Sequence, residues 1–213
     1  MPSVRQIRHF ALILSLGFGG LEVQAQATRQ QPNQRPGEVC VPQSASHERW
    51  RRFLSRLPKA PDTKLAMPVK GVRVRQVRDT FGAPRSGGRR HEGQDILAPR
   101  GTPIYSATSG FVVRMGYDQL GGLFVYVVGA GGRRYYYAHL DRFAAGLEAG
   151  QQVTTRTRLG YVGNTGNARA TVPHLHFGVF SGSRRTCDRR VIDPLPLLVD
   201  RDWQPTLNPA RNR

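Results

Sequence analysis

LFVYVVGAGGRRYYYAHL, residues 123–140, decides the fold. Leu123 to Val128 is a run of apolar and aromatic residues; Gly129-Ala130-Gly131-Gly132 breaks it, and Arg134 to Leu140 resumes it. β-Branched and aromatic residues on both sides of a glycine-rich break predict a β-hairpin. The same texture extends both ways. Val69 to Arg75 alternates and then turns through Gly82 to Gly88. Thr102 to Ala107, Gly110 to Met115, Gln152 to Thr155, Leu159 to Val162 and His174 to Phe180 are further strand candidates. Closely spaced strands with glycine turns and no intervening helices predict an all-β, mostly antiparallel domain.

Composition agrees. The chain of 213 residues has 24 Gly and 15 Pro, which suits a turn-rich β protein, and it shows no heptads and no fixed-period repeat. Its length allows one well-buried domain with appendages. Residues 28–43 are polar and proline-containing and read as a linker. Over Ser46–Lys59, Trp50, Phe53, Leu54 and Leu57 fall on one helical face among arginines, predicting a short amphipathic helix stopped by Pro58 and Pro61. The linker and helix together fill 28–63 and the β domain 64–182, and a basic, proline-containing tail, 183–213, is expected to wrap the surface and pack on the domain.

The first 27 residues read as an export signal. Arg5 and Arg8 precede the uncharged run FALILSLGFGGL (10–21), and VQA (23–25) or AQA (25–27) offers small residues for cleavage. That run is shorter than the ~18 residues of a membrane span, and no later segment approaches it. The mature chain is therefore expected to be exported, periplasmic or extracellular, with no transmembrane segment after cleavage. In an oxidising compartment the only two cysteines, Cys40 and Cys187, are expected to form a disulfide joining the two flanks.

The formal charge is +18, and the signal, with Arg5, Arg8 and Glu22, carries only +1 of it, leaving +17. The arginines are scattered rather than gathered in a stripe, so nucleic acid is not the expected partner. For an exported protein the charge suits anionic polymers of the cell envelope or an anionic membrane face.

Four of the six histidines, His91, His139, His174 and His176, fall inside the β region. In HEGQD (91–95), His91 and Asp95 can converge on one metal ion if the chain turns at Gly93. In HLH (174–176), strand alternation puts both imidazoles on one face and Leu175 and Phe177 on the other. By the same alternation His139 shares a face with Tyr135 and Tyr137, with Ala138 and Leu140 turned away; Tyr137 is the candidate substrate-binding residue of that face. Two histidines and one aspartate are an accepted catalytic zinc set with a fourth position for water, and two further histidines remain to move protons and stabilise an oxyanion. The chain has no GxSxG elbow, no reactive-cysteine environment and no Walker loop.

The ordered series FGAPRSGGRRHEGQDI, GTPIYSATSGFV, YYYAHL, LGYVGNTG and PHLHFGV resembles the lysostaphin-type, or M23, zinc endopeptidases of the cell wall; VIDPLPLL (191–198) is similar to that family's closing segment. The resemblance implies a mostly antiparallel β-sandwich or open-barrel core with a long groove across one face. It implies His91, Asp95 and His176 as ligands of one Zn2+ per chain, and His139 and His174 as catalytic residues. The implied activity is hydrolysis of peptide bonds in peptidoglycan stem peptides or cross-links. The chain departs from the family in the run Asn167–Pro173, longer than the usual Ser/Thr-Gly-Pro, beside the groove. Two other readings compete: a non-catalytic wall-binding or hydrolase-activating module, and a basic exported protein that binds polyanions around a structural zinc.

Overall fold

The computed structural model describes residues 53–182 and 189–203. The export-signal pattern, Cys40, Cys187 and the first part of the predicted helix lie outside the described residues. Within them the helix closes its last turn, Arg56 N donating to Phe53 O (3.1 Å) and Leu57 N to Leu54 O (3.2 Å), and Phe53 packs on Phe111 with ring centroids 4.8 Å apart.

Nine strands form the main sheet: β1 (Gln94–Leu97), β2 (Pro103–Tyr105), β3 (Gly110–Asp118), β4 (Gly122–Gly129), β5 (Arg134–Phe143), β6 (Gln152–Val153), β7 (Arg158–Val162), β8 (His174–Ser181) and β9 (Arg190–Ile192). All of its pairings are antiparallel, as the strand spacing predicts. The order is β9-β8-β5-β4-β3-β6, with β1 also on β8 and β7 joining β5 to β2; no closed barrel results. The predicted hairpin is β4–β5, with Tyr126 opposite Tyr136 and Val128 opposite Arg134. Two short pairs complete the fold, Pro84–Arg85 with Arg89–Arg90 (antiparallel) and Leu65–Ala66 with Leu198–Val199 (parallel).

One apolar core holds the layers together. Val125, Tyr135 and Leu175 from the central strands meet Ile96, Ile104 and Leu159 from β1, β2 and β7, all fully buried. β8 organises what lies outside that core. Its first half pairs with β1, which sets His176 opposite Asp95, while on its other edge His176 stands opposite Ala138 of β5. Leu175 and Phe177 fill the core, so His174 and His176 turn to the opposite face, as alternation requires.

Alternation fails at His139. Val125 pairs with Tyr137 and Leu123 with Leu140, so β5 advances three residues where β4 advances two. The extra residue makes a bulge, and His139 adopts φ 64°, the sole positive φ of a non-glycine among the described residues. Leu140 thereby rejoins Tyr135 and Tyr137 in the core, and His139 turns to the face of His174 and His176. The expectation that His139 shares a face with Tyr137 is corrected accordingly. Tyr137 itself is fully buried, its hydroxyl accepting from Ala107 N at 2.9 Å, so it cannot touch a substrate. Tyr136 holds the site-side position instead, its ring 5.9 Å from that of His176.

Replacing Tyr137 with Phe orphans a buried N–H at little change in shape. The variant is expected to lose about 1–3 kcal/mol of stability in chemical denaturation, with activity per folded molecule unchanged.

Candidate metal centre

His91, Asp95 and His176 offer three ligand atoms to one point. His91 Nε2 lies 2.9 Å from His176 Nδ1 and 3.0 Å from Asp95 Oδ1, and His176 Nδ1 lies 3.1 Å from Asp95 Oδ1. A tetrahedral zinc with ligands at ~2.0–2.1 Å has edges of roughly 3.3 Å, so the triad fits that ion with small outward adjustment. The donor set of two imidazoles and one carboxylate is also that of catalytic zinc, with room for a fourth ligand.

Local structure accounts for each ligand. Asp95 and His176 are direct cross-strand partners, so their side chains stand together on one face. His91 precedes β1 and reaches the same point because the chain bends at Gly93. The glycine is not there for a left-handed turn. A Cβ at that position would lie 2.5 Å from Phe177 O and 2.9 Å from His176 Cε1, so any side chain would push β8 away from the triad.

The His91 tautomer is set by the backbone. Its Nδ1–H donates to Thr80 O at 2.7 Å, which leaves the lone pair on Nε2 for a metal. Thr80 is held in turn by Gln94, a fully buried side chain whose Oε1 accepts from Thr80 N (2.9 Å) and Thr80 Oγ1 (3.1 Å). Gln94 Nε2 donates to Asp79 Oδ1 (2.8 Å) and Asp193 Oδ1 (3.0 Å), so the segment after β9 also braces the ligand loop. Without a metal, burial alone would raise the Asp95 pKa, but the hydrogen bonds and the positive charge that His176 and His91 bring whenever they are protonated outweigh it and hold the carboxyl far below its usual range. Burial lowers the His176 pKa, which favours the neutral imidazole a metal needs.

The other two imidazoles face this triad. His174 Nδ1–H donates to Val172 O (2.8 Å) and His139 Nδ1–H to Thr165 O (2.9 Å), so each keeps a lone pair on Nε2. His174 Nε2 is 3.8 Å from Asp95 Oδ1, and the His139 ring packs edge-on to that of His174 at 5.0 Å. Burial, followed by the charges of His176 and His174, pushes His139 down to about 4, so it is neutral near pH 7. Two close imidazoles with free lone pairs beside three metal-ligand atoms can take up and return protons.

All five sequence-predicted polar residues are thus brought together, and Tyr137 is not. Sequence reasoning missed Thr80, Gln94 and Tyr136. Gln94 carried a signal, an amide where β1 otherwise buries apolar residues; Thr80 acts on His91 through its carbonyl, which any residue possesses.

Comparison with known proteins agrees. Residues 89–192 match the model of Peptidase family M23. The L-Ala–D-Glu endopeptidase of Bacillus subtilis is 37% identical over 134 residues, 60% of this chain and 40% of that protein. The peptidoglycan DD-endopeptidase ShyC of Vibrio cholerae is 38% identical over 87 residues, 41% of this chain and 19% of that protein. The chain therefore spans less than half the length of these curated relatives. The solved structure of lytM from Ruminococcus gnavus superposes with a TM-score of 0.51 at 25% identity, covering 72% of each chain.

The bulge allows a test of how His139 is held. A left-handed backbone costs an L-residue about 1–2 kcal/mol. Of two variants that both remove the imidazole, His139→Gly is expected to be more stable than His139→Ala by about that amount, the reverse of the usual preference in a strand. Thermal or chemical unfolding of the pair measures it, and equal stabilities would refute the strained assignment.

Proposed function

Residues 89–192 form a domain of peptidase family M23, and from that premise we propose that the chain is a zinc-dependent endopeptidase acting on peptide bonds in peptidoglycan stem peptides or cross-links. The observation that carries this reading is the meeting of His91 Nε2, Asp95 Oδ1 and His176 Nδ1 within 2.9–3.1 Å, beside two further imidazoles. The ligand set is complete, which favours an enzyme over a degenerate binding module. Peptidoglycan as substrate is supported by the Vibrio cholerae relative, a peptidoglycan DD-endopeptidase. The relatives' names specify different bonds, so the bond cut is not inherited from them.

His91, Asp95 and His176 would hold the zinc. When bound, such an ion polarises a carbonyl and brings a water's pKa toward neutrality. The chain's own residues supply the rest. In this reading the Nε2 of one of His139 and His174 accepts the proton of the attacking water, and the other imidazole helps to stabilise the oxyanion that develops on the scissile carbonyl. Thr165 O and Val172 O hold these rings in the tautomer the proton acceptor needs. Export to the periplasm or the cell exterior, supported by the pattern of residues 1–27, would bring the chain to its substrate, and the net charge of +17 left after removal of that segment suits anionic envelope polymers.

Purified protein is expected to release peptide fragments from isolated sacculi, to lose this activity to a chelator and to regain it with Zn2+. Mass spectrometry of the fragments identifies the bond. His176→Ala is expected to abolish zinc binding, whereas His174→Ala keeps the metal and loses roughly 10²–10⁴-fold in turnover. Sacculus binding without release by the zinc-loaded protein would favour the non-catalytic module, and a fully active His174→Ala variant would refute the role given to that residue.

A further inference from the structure

Asp95 uses one carboxylate oxygen, Oδ1, toward the ligand point; its other oxygen is taken. Arg85 Nη2 donates to Asp95 Oδ2 at 2.6 Å, a short charge-assisted bond. Arg85 reaches Asp95 through a local device. Gly87 and Gly88, both left-handed at φ 71° and 68°, turn the chain between Pro84–Arg85 and Arg89–Arg90, and this hairpin runs directly into His91. The turn sets Arg85 opposite Arg89, a like-charged cross-strand pair that costs stability unless the charges find partners. Arg89 bonds within the turn, to Ser86 O and Ser86 Oγ, and Arg90 Nη1 to Gly82 O. Of the three, only Arg85 crosses to the ligand triad.

We propose that Arg85 is a positioning residue for the metal centre: by occupying Asp95 Oδ2 it fixes the carboxylate's rotation and confines it to a single ligating oxygen. The proposal rests on the zinc reading above. Its physical basis is that partners which orient a ligand add to metal affinity, typically 10–100-fold. A carboxylate free at both oxygens can bind a metal through both and raise its coordination number. With Arg85 in place Asp95 offers one oxygen, the triad supplies three ligand atoms, and a tetrahedral site keeps its fourth position for substrate or water. Lysine could supply the charge but not the planar, directional donor.

Two measurements on the full chain test this. Metal-stripped wild-type, Arg85→Ala and Arg85→Lys proteins are titrated with Zn2+ against a chromophoric chelator, and the same proteins are loaded with Co2+ for visible absorption. Arg85→Ala is expected to bind Zn2+ about 10-fold more weakly, with Arg85→Lys between it and the wild type. Its Co2+ spectrum is expected to lose the intense d–d bands of a four-coordinate ion as Asp95 engages through both oxygens, with Arg85→Lys again restoring them in part. Unfolding of the metal-free proteins is expected to be nearly equal, since Arg85 is 38% exposed on a two-residue strand. Unchanged or tighter Zn2+ binding with an unchanged Co2+ spectrum in Arg85→Ala overturns the proposal. Failure of the wild-type protein to bind either ion overturns the zinc reading itself.

Discussion

The registration of β8 against β1 is the constraint on which the site depends. His176 opposite Asp95 and His174 opposite Leu97 follow from one alignment of two short strands. A slip of one residue would turn both histidines into the core and expose Leu175 and Phe177, which are fully buried. The apolar core thus holds the site in register: burying those two side chains is worth roughly 1.5–3 kcal/mol each, and both would be forfeited by the slip. Gly93 lets the ligand loop press against the β8 backbone beside the same pair, where a Cβ would lie 2.5 Å from Phe177 O.

A second constraint acts on β5. The strand must keep Tyr135, Tyr137 and Leu140 in the core and still deliver a histidine to the other face between them. Regular alternation cannot do both. The inserted residue resolves the conflict by a left-handed turn of the backbone at His139, with its N–H donating to Gly121 O at 2.7 Å. Strain of this kind costs of order 1–3 kcal/mol and persists only where neighbours over-determine it. Here the determinants are the three core side chains around the bulge and the Thr165 carbonyl that receives the imidazole. His139 is therefore aimed by packing on the far side of the sheet.

These constraints explain what was legible in the sequence. The all-β class, the β4–β5 hairpin and the shared face of His174 and His176 depend on alternation within one strand, which a sequence displays directly. The bulge depends on how β5 counts against β4, so the same alternation rule misplaced His139 and drew Tyr137 toward the substrate when it belongs to the core. Gly93 reads as a turn residue in the sequence, but its missing side chain matters through contact with β8, a strand some eighty positions away. Arg85, Arg89 and Arg90 look alike in PRSGGRRH, and only the folded hairpin shows which one meets Asp95. Family resemblance named the five polar residues because it carries this tertiary information implicitly.

The two ligand histidines present different nitrogens, and the backbone explains why. His176 lies on the strand directly across from Asp95, so its ligating atom must be the one near its own backbone, Nδ1. His91 approaches from outside the strand and reaches with the distal Nε2, whose lone pair is available while the ring proton stays on Nδ1. Thr80 O holds it there, as Thr165 O and Val172 O do for His139 and His174. Three of the four imidazoles thus have their tautomer set by a main-chain carbonyl, a group that side-chain substitution cannot remove. What substitution can change is where those carbonyls sit. For two of them, that places the control of proton location in the side chains that fix the loops, Gln94 on Thr80 and the Thr165 hydroxyl on Leu140 O, rather than in residues touching the reacting atoms.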